Sequence, residues 1–258
     1  LMWEGLLAID YLFRLSASRN TAAHSRGAVW EAFRRGLDEI AAGIVEGRTT
    51  EAIRRSIARV EDASRGRPDG ARMRIGVIGD VYTRINAFAN QCLYETLEAM
   101  GCEVLAPPFL VDLLLYDMVH DPRRRYRSGA YASAAGRAAI SVYQWAVWNQ
   151  VRALFPLDTR ILRDGDLFWG PGGAWYEEAS KFLNVETEDL LAQNLGKAVD
   201  HIRNGADGIV NVMCHGCMIG TSTEAVLPRL GESHGGVPVI SLSYDSLGDV
   251  HTRTRLEA

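Results

Sequence analysis

Two cysteines separated by two residues, Cys214 and Cys217 in VNVMCHGCMIGTSTEAVLPRL (210–230), occupy the point where an apolar run gives way to small polar residues. Thiols at that spacing serve a redox dithiol, half of a zinc site, an iron–sulfur ligand pair, or nothing beyond a buried turn. If the apolar run is a strand and the polar one opens a helix, amides near Gly220 to Ser222 put partial positive charge beside Cys217. That charge favours a thiolate or a bound anion. A zinc site wants four ligands, commonly as two spaced pairs, and the chain has no second pair at that spacing. A thioredoxin-like dithiol shares the spacing but has no other support in the residue mix. The other cysteines, Cys92 and Cys102, read as small buried hydrophobes, one inside a helix and one at a strand start.

Three further clusters carry usable chemistry. In GDVYTR (79–84), leaving a strand, Tyr82 and Arg84 face the crevice where open α/β sheets take ligands; Arg84 either clamps a carboxylate or phosphate or ties the loop to Asp80 or Asp245. No Gly-x-Gly-x-x-Gly follows that strand, so the dinucleotide fingerprint is missing, and GPGGAW (170–175) reads as a turn. Past the last strand, SYDSLGDVHTRTR gathers Tyr244, Asp245, Asp249, His251, Arg253 and Arg255. There His251 either relays a proton or caps a helix and pairs across the surface. Ser241 and Ser243 lie within the strand and not on a Gly-x-Ser-x-Gly elbow. The basic run DPRRRYRSG, with Arg123, Arg124, Arg125 and Arg127, suits the phosphates of a CoA-like molecule or an acidic partner, or is simply a solvated loop.

The elements that must hold these groups fall in two parts. Residues 1–66 read as a helical region expected to pack on the sheet domain: Leu6, Ile9, Leu12 and Phe13 recur at helical spacing, as do Trp30, Phe33, Leu37, Ile40 and Ile44, and then Ile53, Ile57 and Val60. Thr49 and Thr50 are candidate caps for the third helix. After the polar linker SRGRPDGAR, residues 73–258 alternate strand and helix: MRIGVIGD, a helix over NAFANQCLYETLEAMG, CEVLAPP, a helix over TEDLLAQNLGKAVDHIRNG, ADGIVNVMC, a helix over STEAVLPRLGESHGG, and VPVISLSYD. The expected architecture is α/β: a flavodoxin-like or Rossmann-like parallel sheet with helices on both faces and an amino-terminal helical region. An insertion at about 109–186 interrupts the alternation; its long Ala- and aromatic-rich helix is expected beside the sheet edge with the amino-terminal helices.

Bulk properties exclude some classes. The chain of 258 residues, 47% hydrophobic, can bury a sizeable core, and its net charge of −4 gives no global attraction for nucleic acid. No apolar run approaches the roughly 20 residues that cross a bilayer, and LMWEGLLAIDYLFRL lacks the basic leader of a signal peptide. Four cysteines without scaffold-like density agree with a reducing, cytoplasmic setting. Leu1 and the ending TRTRLEA suggest a piece of a longer polypeptide.

RIGVIGDVYTRINAFANQCLYETLEAMGCEV and VMCHGCMIGTSTEAVLPRL, with the later GGVPVISLSYDSLGDVHTRTRLEA, resemble the 2-hydroxyacyl-CoA dehydratase D-component family, in its branch related to CoA-substrate-specific enzyme activases. The resemblance spans most of the chain and implies flavodoxin-like domains carrying a thiolate-held iron–sulfur cluster of the 4Fe-4S kind. An ATP-driven activase would feed that cluster low-potential electrons for dehydration or other difficult reductions. By the resemblance the cluster-ligand position is Cys217, while Cys214 is an extra sulfur in place of a proline. Ile219 replaces the turn proline, and Asp80 stands where an acidic residue, usually Glu, is found. Tyr82, Arg84 and Asp245 would shape the site. The family's other cluster cysteines would precede Leu1, so this chain would hold half a site and be inactive alone, with other domains, a dehydratase or activase subunit, and acyl-CoA as partners. The alternative from another class is a non-catalytic ligand-binding or assembly domain.

Overall fold

A computed structural model describes residues 2–20, 27–65, 72–107, 142, 145–146, 149–150, 152–156, 179–183 and 189–244. The chain divides into two compact units, residues 1–67 with 108–173, and residues 68–107 with 174–258.

The first unit contains α1 (Met2–Arg19), α2 (Ala28–Val45) and α3 (Thr49–Ser64). Its core joins Leu7, Tyr11, Leu12 and Leu15 of α1 to Val29 and Ile40 of α2 and Ile53, Ile57 and Val60 of α3. Tyr11 stacks on Phe155 at 4.8 Å and donates its hydroxyl to the Pro156 carbonyl. The α3 stripe is the expected one; of the α2 stripe Ile40 is buried and Phe33 and Ile44 pack against the core, and the seam also takes in Val29, Ala32, Gly36 and Gly43. Small residues win there because they let two backbones approach. A Cβ on Gly43 would run into Ala52, and Ser56, seated against Gly36, donates to the Gly36 carbonyl at 3.1 Å. Neither threonine caps α3; Arg48 occupies the cap position and Thr49 is the buried first helical residue.

The second unit is built on a parallel sheet. Strands β1 (Arg74–Gly79), β2 (Glu103–Leu105), β3 (Gly208–Cys214) and β4 (Val239–Tyr244) lie in the order β2-β1-β3-β4. The register pairs Ile75 with Val104, Val77 with Val210 and Val212 with Leu242. Continuous β-rich apolar runs suit strands covered on both faces, and β3 is buried from Gly208 to Met213. Helices α4 (Val81–Ile85) and α5 (Leu93–Ala99) follow β1, α6 (Asp189–Arg203) precedes β3, and α7 (Met218–Ser233) joins β3 to β4. Leu195 and Val199 of α6 and Leu227 and Leu230 of α7 pack with Ile78, Leu105 and Ile209. The α/β flavodoxin-like fold read from the sequence is therefore the one observed, flanked by helices.

The chain leaves β1 toward β2 on one side and, after β3, toward β4 on the other, so the order reverses between β1 and β3. In open α/β sheets ligands bind beyond the carboxyl ends of strands at such a reversal. Gly79 ends β1 there with φ +113°, and any Cβ would collide with the Val212 carbonyl of β3.

The single helix expected over residues 86–101 is a turn followed by the shorter α5. Asn86 accepts the amides of Phe88 and Ala89 at 3.0 and 3.1 Å, an Asx turn competing with helix. Gln91 and Cys92 then take left-handed backbone, φ +53° and +57°. Cys92 sits at the α5 cap and is exposed, not buried inside a helix; Cys102 is buried as expected.

Asn90, 1% exposed, fastens this segment. Its amide donates to the carbonyls of Thr83 and Arg84 at 2.8 and 3.1 Å, and its side-chain oxygen accepts from Leu93 N at 3.1 Å. Asn90→Ala strands these backbone groups and is expected to cost about 3 kcal/mol in urea-unfolding midpoint analysis, while Asn90→Asp loses the two donated bonds but keeps the accepted one.

Candidate functional site

Cys214 is the last residue of β3, paired in register with Tyr244. The chain turns at once: Cys217 N–H donates to the Cys214 carbonyl at 3.1 Å, and His215 N–H donates to the Tyr244 carbonyl at 2.8 Å. Gly216, third in that turn, has φ +74°, the left-handed value a type II turn demands. The two-residue spacing thus folds both sulfurs to one side of the strand end.

Cys217 is the N-cap of α7, and its Sγ accepts the Gly220 N–H at 3.4 Å while its carbonyl accepts from Thr221 at 2.9 Å. The amide charge expected near residues 220–222 therefore falls on this sulfur. Cys214 is exposed and Cys217 half-buried. The Cys214 thiol is pushed up, first by burial, then by Cys217 and by Asp80. The Asp80 N–H donates to the carbonyl of Val212, two residues before Cys214, which places the end of β1 beside this turn.

The turn rests on a buried support that sequence patterning missed. Asn211, fully buried in β3, donates to Ser241 Oγ on β4 at 3.0 Å and to the Gly220 carbonyl at 3.4 Å. Gly220 lies so close over β3 that a Cβ would strike the Met213 side chain. A polar residue amid Val and Ile was the available signal, since a buried amide is retained where it has partners.

At the end of β1, Asp80 accepts from Thr83 N at 2.8 Å and Thr83 Oγ1 at 2.7 Å, capping α4, and its own amide donates to the Val212 carbonyl at 2.9 Å. Its carboxylate is committed to this cap and forms no ion pair with Arg84, so the proposed tie between them is not made. Arg84 is 5% exposed and Tyr82 64% exposed, so the two side chains leave α4 in different directions. Tyr94 of α5 lies beside Arg84, and burial pushes its phenol far up, so it stays protonated.

The structure therefore brings Cys214, Cys217 and Asp80 together, with Arg84 one helical turn further along α4. Asp245, Asp249, His251, Arg253, Arg255, the Arg123 to Arg127 run and GPGGAW lie outside the described residues. Among the described residues no group of three or more His, Cys, Asp or Glu is gathered to hold a metal. The pair offers two soft donors, which fit part of a thiolate-held group that takes three or four. Among the described residues no helix is long and apolar enough to cross a membrane. In brief alkylation followed by peptide mapping, Cys92 and Cys214 are expected to react before Cys102, because they are exposed and Cys102 is buried.

Comparisons with family models, with curated proteins and with solved structures each found no match to this chain.

Proposed function

We propose that this protein is a cytoplasmic relative of the 2-hydroxyacyl-CoA dehydratase D-component family, in the activase-related branch, and that Cys217, with Cys214 beside it, supplies thiolates to an iron–sulfur cluster. The observation that carries the reading is the capped sulfur: Cys217 Sγ sits at the amino end of a 16-residue helix, accepts an amide N–H, and follows Cys214 across one tight turn. Amide N–H···S bonds and the helix-end charge lower the cost of negative sulfur. When bound, the cluster supplies one-electron chemistry. The chain's own part is to hold two sulfurs at fixed spacing, with Asn211 and the Gly216 turn keeping them there. The remaining ligands come from other segments or from a dehydratase or activase subunit, with acyl-CoA as the substrate class.

Anaerobic reconstitution of the full polypeptide with iron and sulfide tests this. Wild type is expected to retain iron and a visible charge-transfer spectrum, and Cys217→Ala to lose most of both. Equal iron and spectra in the two proteins reject the ligand role.

A further inference from the structure

We infer that Arg84 anchors an oxyanion-binding site beside the β1/β3 reversal, taking one carboxylate or phosphate group of a small organic ligand. Arg84 is 5% exposed, and its Nε is sealed from solvent without any hydrogen-bond partner. No carboxylate among the described residues pairs with it: Asp80 is turned to Thr83. The phenol of Tyr94 alongside is protonated and brings no countercharge. No described carbonyl accepts from its Nε either.

A guanidinium whose Nε is buried without a partner is best completed by a negative group. Its planar fork pairs bidentately with carboxylate or phosphate, and low surrounding dielectric strengthens that pairing. Two independent features point to a ligand and not to a packing accident. One is location, at the strand-order reversal where open α/β sheets place their crevice. The other is rigidity: the Asn90 clamp and the left-handed pair Gln91–Cys92 hold the following turn in a conformation side chains rarely adopt, as at ligand-gripping segments. The exposed apolar side chains Tyr82, Ile85 and Phe88 belong to the same segment and suit the uncharged part of such a ligand. This inference does not depend on the thiol pair.

The test is thermal unfolding of the whole chain titrated with potassium phosphate, sodium acetate or sodium octanoate, each against chloride at matched ionic strength. In wild type, phosphate or a carboxylate is expected to raise Tm by about 5 °C, the responding arm identifying the head group. Arg84→Met is expected to melt at or above wild type without anion, because it removes a buried N–H that has no partner, and to lose the anion response. Arg84→Lys should keep a weaker response, and Cys214→Ala/Cys217→Ala the full one. No response in wild type to any of the three anions overturns the inference. So does an Arg84→Met protein that melts lower than ligand-free wild type, which would make the guanidinium structural.

Discussion

Gly79→Ala is expected to lower the stability of the sheet unit by about 4 kcal/mol, a large share of the roughly 5–15 kcal/mol that holds a domain together. Two costs add. A φ of +113° strains any residue with a Cβ by about 1–3 kcal/mol. The new methyl would also meet the Val212 carbonyl, a backbone atom of the neighbouring strand that no rotamer change can move. Forcing the strands apart costs about 1–3 kcal/mol more and breaks the Asp80 N–H to Val212 carbonyl bond that positions α4. Chemical denaturation with far-ultraviolet detection measures the loss. Gly101→Ala is the matched control: it also has positive φ, but its Cβ would meet nothing, so it should cost clearly less.

The second large effect concerns the sulfurs. Removing even an outer partner of a metal ligand lowers affinity about 10–100-fold, and deleting a ligand costs more. Cys217→Ala is therefore expected to drop iron retention by more than about 100-fold, and Cys214→Ala by less. The asymmetry has a structural cause: Cys217 alone receives the Gly220 N–H and the α7 helix end, whereas Cys214 is exposed at the strand terminus. Cys217→Ser separates capping from ligation. A serine restores an N-cap acceptor and so keeps α7, with a stability change under about 1 kcal/mol, yet it replaces a soft sulfur by a hard oxygen that iron–sulfur chemistry does not favour.

Much of the sheet was legible because its physics is local. Runs such as RIGVIG and GIVNVMC are too apolar and too short for anything but buried strands, and the intervening helical periods force parallel connections. The cysteine turn was legible for a similar reason, since a thiol pair at a strand end followed by Gly, Thr and Ser has few conformations open to it. The segment after β1 was misread where side chains compete with the backbone: Asn86 and Asn90 bond to nearby amides and carbonyls, and a periodicity argument sees only tolerable helix residues. The α2 seam was legible in part: Ile40, Phe33 and Ile44 pack in the core, but Gly36 and Gly43, which allow close approach, carry no apolar signal. Arg84 was identified as a ligand candidate from its position after the strand. Its burial, and the commitment of Asp80 to Thr83, depend on three-dimensional neighbours that no spacing encodes.

The joint action of the two thiols is tested most directly by anaerobic cobalt(II) titration of the reduced chain, followed by sulfur-to-metal charge-transfer absorption. The account predicts a saturable band at one equivalent in wild type and in Cys92→Ala, weakened in Cys214→Ala and lost in Cys217→Ala. A band that survives the removal of Cys217, or that never forms in wild type, would contradict it.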